Sequence, residues 1–347
     1  MDRIEDILQP MLTDMERAPG LYRPTNFWNS GLAGIISDIE KLGIETFRTH
    51  PSARFFYVPV YSSNTYARWS NVLDPVLSRL PARKASRWRT RLTHSDRARA
   101  DYRLFRATSV EGAFDVDRAS ESDIGGGERF AFDGKSYSRS MLNYLRALNL
   151  LKRAAPDFRP QSCLEIGGGY GTLGEILLKA EEGAIYVNVD IPPVAAVSTW
   201  YLSKVFGADR VLAYPESRKL DRIDLDALKG RYRAVVLCPW QLPRLSGQFD
   251  LFANFMSFQE MEPDVVANYV AKVQPLTGRH ALIRNSAHGK KTASKEGEVG
   301  VMEKVTTDFI VSRFDDFDVT ARDAFVHGEM SEDGSYRSEV IVLSRRA

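Results

Sequence analysis

From residue 160 onward, short apolar runs alternate with longer segments in which apolar positions recur every three or four residues. The short runs predict strands and the longer segments amphipathic helices. "SCLEIG" (162–167) reads as a strand and "GTLGEILLKAEE" (171–182) as a helix. "AIYVNVD" (184–190) is the next strand, and "PPVAAVSTWYLSKVFG" (192–207) a helix with Pro at its start and Gly at its end. "RYRAVVLCPW" (231–240), "FDLFANFMSFQEM" (249–261) and "GRHALIRNS" (278–286) carry further strands, with a helix over "EPDVVANYVAKVQP" (262–275). "DFDVTARDAFV" (316–326) and "YRSEVIVLSRR" (336–346) read as a closing antiparallel pair. Such alternation predicts an α/β fold, a mostly parallel sheet covered by helices on both faces. The segment 210–230 is longer than a minimal connection, and whether it adds a strand stays open.

The first half lacks this rhythm. Helical patches predominate, and "ARFFYVPVYSS" (53–63) reads as a possible buried strand. Asp133-Gly134, between "RFAF" and "KSYS", is a hairpin signal. "SRSMLNYLRALNLLKRAAP" (138–156) has the spacing of an amphipathic helix that Pro156 helps to stop. The expected division is a mainly helical region over 1–154, shaping a ligand pocket, and an α/β unit over 155–347.

The 347 residues are 44% hydrophobic and 27% charged with a net charge of +2, an ordinary soluble balance that names no partner. The cysteines, Cys163 and Cys238, sit in apolar strand-like runs, so they read as buried free thiols rather than a disulfide or zinc site. The amphipathic, acid-bearing N-terminus lacks the features of a signal peptide, and no apolar run is long enough to span a membrane. A cytoplasmic location without a membrane partner is the expectation. No compact carboxylate and histidine cluster predicts a metal.

Four of the eight residues in "LEIGGGYG" (164–171) are Gly, placed between a strand and a helix. Such a loop lets backbone approach a ligand closely. "GYGTLG" (169–174) fits a dinucleotide fingerprint, with Asp190 placed for a ribose hydroxyl. The same layout suits S-adenosylmethionine. Glu165, two residues before the glycines, would repel a pyrophosphate and favour a cationic cofactor.

"LEIGGGYGTLGEILL" resembles the E-x-G-x-G-x-G motif of class I methyltransferases. With "YVNVDIPPVAAVSTWYL", "VVLCPWQLPRL", "FDLFANFMSFQEM" and, upstream, "PTNFW" (24–28) and "FDGKSYSRSMLNYL" (132–145), the chain resembles the putative sugar O-methyltransferases of bacteria. The resemblance implies a Rossmann-like sheet with an antiparallel last strand, S-adenosylmethionine as cofactor, and a sugar hydroxyl as acceptor. Glu165, Gly167, Gly169, Tyr170 and Gly171 would wrap the methionine end. Asp190 would accept from the ribose, and Ile191, Pro239 and Trp240 would flank the adenine, with Asn254 also at the cofactor. An acceptor outside the sugars, a non-catalytic cofactor-binding protein and a dehydrogenase remain alternatives.

Methyl transfer to a hydroxyl needs alignment and a proton acceptor. Glu260 and His288 are the candidate bases, each following a strand at the edge where open α/β sheets bind ligands, with His327 a third. Ser257 and Gln259 beside Glu260, with Trp28 and Tyr137, are candidate acceptor contacts, and Tyr22, Asn26, Phe27 and Asn143 are further lining candidates. Residues 83–106 hold eight Arg and one Lys. They read first as a solvated face, then as an anion site, and last as an RNA surface in which Trp88 and Tyr102 would stack on bases. The expected partner is a small-molecule or glycan acceptor rather than a nucleic acid, and a homodimer is a compatible assembly.

Overall fold

The computed structural model describes residues 4–61, 72–82, 84–85, 95–330 and 337–346. Its central sheet is built from β1 (Ser162–Ile166), β2 (Ile185–Val189), β3 (Val211–Leu212), β4 (Ala234–Leu237), β5 (Phe249–Phe255), β6 (Thr277–Ser286), β7 (Phe317–Asp323) and β8 (Arg337–Arg345). Their spatial order is β7-β8-β6-β5-β1-β2-β4-β3, and Glu329–Met330 pairs with β8 off that path. Neighbours pair in parallel, except that β8 runs antiparallel to both β6 and β7. This is the expected Rossmann-like α/β sheet, mostly parallel with an antiparallel last strand. The segment 210–230 does add a strand: β3 extends the far edge beyond β4.

Alternate side chains of each strand face opposite layers. On one face Leu164, Ile166 and Val187 pack with Val266 and Val270 of the helix Pro263–Val273. On the other, Cys163, Tyr186 and Val236 pack with Ile176, Val197, Leu145 and Leu148. Both cysteines are buried free thiols. Leu145 and Leu148 belong to the helix Arg139–Ala154, which Ser138 caps by accepting from the Met141 N–H. That helix lies on the near side of the expected boundary at 154, yet it packs on the sheet. Its core is continuous with Ile7, Phe27, Ile35 and Phe47 of the N-terminal region.

The N-terminal region is mainly helical, with Glu5–Met15, Leu32–Leu42 and Ser95–Thr108 its longer helices. The expected hairpin forms, Phe130–Phe132 against Lys135–Tyr137, with both turn residues at positive φ (48° and 75°). The strand expected over 53–63 does not form. Residues 53–56 belong to the helix Pro51–Phe56, residues 57–61 are not in a strand, and 62–63 lie outside the described residues. Pro51 at the first helical position favours the helix, and a short apolar run cannot by itself separate helix from buried strand.

Candidate active site

The sheet order reverses between β1 and β5, and ligands of such sheets bind outside the carboxyl ends of the strands at that point. Two adjoining chambers open there, one larger than the other. They share Gly167 after β1, Asp190 after β2, Ser257 after β5, and Trp28 from the N-terminal region. The smaller one is a slot whose lining includes Ile191, Pro239, Met261, Val265 and Tyr269. The larger is lined by the glycine loop, by Ser140, Asn143 and Tyr144 of the helix Arg139–Ala154, and by Phe56, Phe255, Met256, Glu260 and Arg284.

What approaches the glycine loop is first the protein itself. Gly167, Gly169 and Gly171 all have positive φ (71°, 59° and 103°), as the turn from β1 into the helix Thr172–Ala180 requires. A Cβ on Gly168 would overlap the Tyr186 hydroxyl, and one on Gly171 would lie 3.0 Å from Leu202. Gly169 alone of the loop glycines leaves room, its nearest neighbour being the Tyr57 carbonyl at 3.6 Å. The loop's N–H groups are engaged as well. Gly167 donates to Val189 (2.8 Å), Gly168 to Asn188 Oδ1 (3.0 Å), Gly169 to Asp190 Oδ2 (2.9 Å) and Gly171 to Gly168 (3.1 Å). A pyrophosphate would need such donors free.

Glu165 does not line either chamber. It is buried, accepting from Tyr144 at 2.9 Å and Tyr186 at 2.5 Å, and burial pushes its carboxyl up to about 7 against those two bonds. The expected repulsion of a pyrophosphate therefore does not come from Glu165. Asp190 lines both chambers, where it is placed to accept from a ribose hydroxyl of either cofactor. Asp190 also accepts from the Ile191 N–H at 2.8 Å, and burial raises its carboxyl to about 8 against its two backbone donors. The Tyr170 backbone belongs to the loop, but its hydroxyl points away, donating to Glu121 at 3.2 Å with the Arg48 guanidinium over its ring.

Several expected site residues turn inward. Asn254 donates to the Ile166 carbonyl (3.0 Å) and the Ser257 hydroxyl (2.6 Å), and accepts from Asn285 (2.8 Å) and the Phe258 N–H (3.3 Å). Gln259 accepts from the Ser286 N–H. Both tie β5 to its neighbours and neither lines a chamber. Trp240 donates to the Tyr214 hydroxyl at 2.8 Å, leaving Pro239 alone of that pair on the slot. Tyr137 is buried among Tyr102, Phe105 and Phe132, away from both chambers. His288 is exposed on the loop after β6, and His327 is buried at the β7 end beside Asp323, 3.7 Å away. Neither histidine reaches a chamber. Asn26 bonds to a loop instead of lining the cleft.

Ser257, Glu260, Trp28 and Asn143 do come together on the larger chamber. Asn143 Oδ1 is buried there without a hydrogen-bond partner, an acceptor waiting for a donor. Glu260 is buried and ion-paired with Lys290 at 2.5 Å; burial raises its carboxyl, and Lys290 and Trp28 pull it back down. The sequence reading missed Phe56, Tyr144, Arg284, Lys290 and Tyr269. It also missed Met256, a non-glycine residue at φ 68° on the chamber rim, the kind of backbone strain found at functional sites.

The Arg-rich stretch is described only in part, and Trp88 lies outside the described residues. Arg97, Arg99, Arg103 and Arg106 are exposed on the helix Ser95–Thr108. Tyr102 is buried, stacked on Phe132 and donating to Asp133 at 2.5 Å, so it offers no face to a base. No helix among the described residues is long and apolar enough to cross a membrane.

No protein-family model and no curated protein matches the chain. Solved structures that share part of its shape include the pyocyanin biosynthetic protein PhzM, at 16% identity and a TM-score of 0.38 over 59% of this chain and 56% of that one. Another is magnesium protoporphyrin IX methyltransferase from Synechocystis PCC 6803 with bound S-adenosylmethionine, at 10% identity and 0.38 over 60% and 79%. A third is 1,6-didemethyltoxoflavin-N1-methyltransferase from Burkholderia thailandensis, at 15% identity and 0.38 over 60% and 79%. The chain spans little more than half the length of PhzM. Likeness at this level bears on neither activity nor substrate.

Proposed function

We propose that the chain is an S-adenosylmethionine-dependent O-methyltransferase whose acceptor is a sugar hydroxyl. The observation that carries this reading is the glycine loop, whose N–H groups are tied to Asn188, Asp190 and the backbone while the buried Asp190 carboxylate faces the cleft. With its N–H groups engaged, such a loop disfavours a pyrophosphate and suits a nucleoside cofactor that makes no demand on those donors. The residues fit that cofactor. Ile191, Pro239 and Tyr269 would hold the adenine, Asp190 the ribose, and Gly169 with the unpartnered Asn143 Oδ1 the methionine end.

The bound cofactor would supply a methyl group on a positively charged sulfur, a good leaving group that needs no further activation. The protein's task is then to orient the acceptor and remove its proton. Trp28, Phe56 and Phe255 offer aromatic faces to a sugar ring, and Glu260 takes the hydroxyl proton as that oxygen gains the methyl. The preponderance of rings in this lining, Tyr144 included, also favours a second acceptor class, a planar aromatic alcohol.

The test is calorimetric titration with S-adenosylmethionine and with NAD, followed by incubation with deuterated-methyl cofactor and a panel of nucleotide sugars, glycosides, phenols and amines. Micromolar binding of the first, with label in a sugar, is the expected result. Label confined to phenols would move the acceptor to the second class. Binding of NAD alone would overturn the reading.

A further inference from the structure

Four consecutive residues far from the catalytic edge in sequence converge on the Glu260–Lys290 pair. Thr25 Oγ1 donates to the Glu260 carbonyl at 2.9 Å. Asn26 donates to the Glu298 and Gly300 carbonyls at 3.0 and 2.9 Å and accepts from the Gly297 N–H at 2.7 Å. Those residues belong to the loop after β6 that also carries Lys290, and a bridge between Thr292 and Val301 closes it. The Lys290 ammonium lies 3.6 Å from the centroid of the buried Phe27 ring and 2.5 Å from Glu260 Oε1. Trp28 meets the same carboxylate and lines both chambers.

We propose that Lys290 is a positioning residue that keeps the Glu260 carboxylate ionised and oriented for the acceptor proton, and that Thr25–Trp28 is the clasp holding the pair. The inference rests on the methyltransferase reading above. A lone carboxylate buried at the cleft would keep its own proton and could not take another. The ammonium beside it reverses that preference. The Phe27 face stabilises the ammonium and leaves it fewer places to go. Apart from Lys290, the charged groups around Glu260 are few. Arg284 of β6 and Asp190 after β2 line the same chamber, and Glu262 is turned to the Met302 N–H. Of these charged groups Lys290 is the one in direct contact with the Glu260 carboxylate, so it decides the state of Glu260.

The test uses the full chain with carbon-13 glutamate, the Glu260 signal being the one lost in Glu260→Gln. Lys290→Met is expected to raise the Glu260 midpoint by about one to three pH units. Lys290→Arg should restore it, and S-adenosylmethionine affinity should stay within about threefold in both, since Lys290 lines neither chamber. With an acceptor in hand, the acid limb of kcat should move by the same interval. If Lys290→Met does not fold, Phe27→Leu supplies the measurement, with a smaller upward shift expected. An unmoved Glu260 midpoint in a folded variant overturns the proposal. Failure of the wild-type protein to bind S-adenosylmethionine overturns the methyltransferase reading instead, and the Glu260 titration tells the two failures apart.

Discussion

Gly167 lies flush against Ser257: a Cβ on the glycine would overlap both the Cβ and the hydroxyl of the serine. The contact welds the end of β1 to the end of β5, at the point where the two chambers meet. Gly167→Ala combines this overlap with a left-handed backbone and should cost about 2–4 kcal/mol of stability. Gly169→Ala meets nothing nearer than 3.6 Å, so it should cost only about 1 kcal/mol while filling the open face of the loop. Thermal melts with cofactor titration separate the two: the first variant should lose stability, the second affinity. Equal melting losses would contradict the placement.

Asp190 ties the loop to β2 while buried, and its carboxyl is raised to about 8. The unfolded chain releases that proton near pH 4, the folded chain near 8. The folded state therefore binds more protons in between, and stability falls as pH rises through that window. The melting temperature should decline from pH 5 to 8, and Asp190→Asn should flatten the decline. Affinity for the cationic cofactor should rise over the same interval in the wild type alone. Parallel melting curves for the two proteins would count against a raised Asp190.

Glu260 faces the larger chamber while His288 stands outside it. Glu260→Gln should lower methyl transfer by about a hundred- to ten-thousandfold, the usual worth of a positioned base, with cofactor affinity retained. His288→Ala should change turnover by less than about twofold, in line with a surface substitution. Label transfer from deuterated-methyl cofactor measures both, and the reverse order of effects would reassign the base.

Asn254 joins the ends of β1, β5 and β6 through buried bonds to Ile166, Ser257 and Asn285. Asn254→Ala leaves those partners unsatisfied and should cost about 2–4 kcal/mol, read by chemical denaturation. A loss of cofactor affinity with unchanged stability would instead make Asn254 a ligand contact.

The sequence by itself determined the sheet, its parallel run and its antiparallel end. Apart from the two-residue β3, too short to show a period, its strands are written in local apolar spacing, and the glycines of residues 167–171 mark a turn whose positive φ angles are also a local property. It also placed Asp190, Ser257 and Glu260 at the right edge, because a strand's carboxyl end is legible from where its apolar run stops. Where a polar side chain points is decided by what packs around it. Glu165 and Asn254 follow the same kind of apolar run as Asp190 and Glu260, yet Tyr144, Tyr186 and Asn285 draw them inward, where a buried polar group must find a partner. Residues 53–63 failed for a related reason, since their apolar run is too short for its period to speak. The pairing of Glu260 with Lys290, and the seating of Thr25–Trp28 on it and its loop, joins residues up to 274 positions apart that no local pattern relates. Only the closure of the N-terminal region over the sheet, driven by the shared core of Phe27, Phe47 and Leu145, brings them into contact.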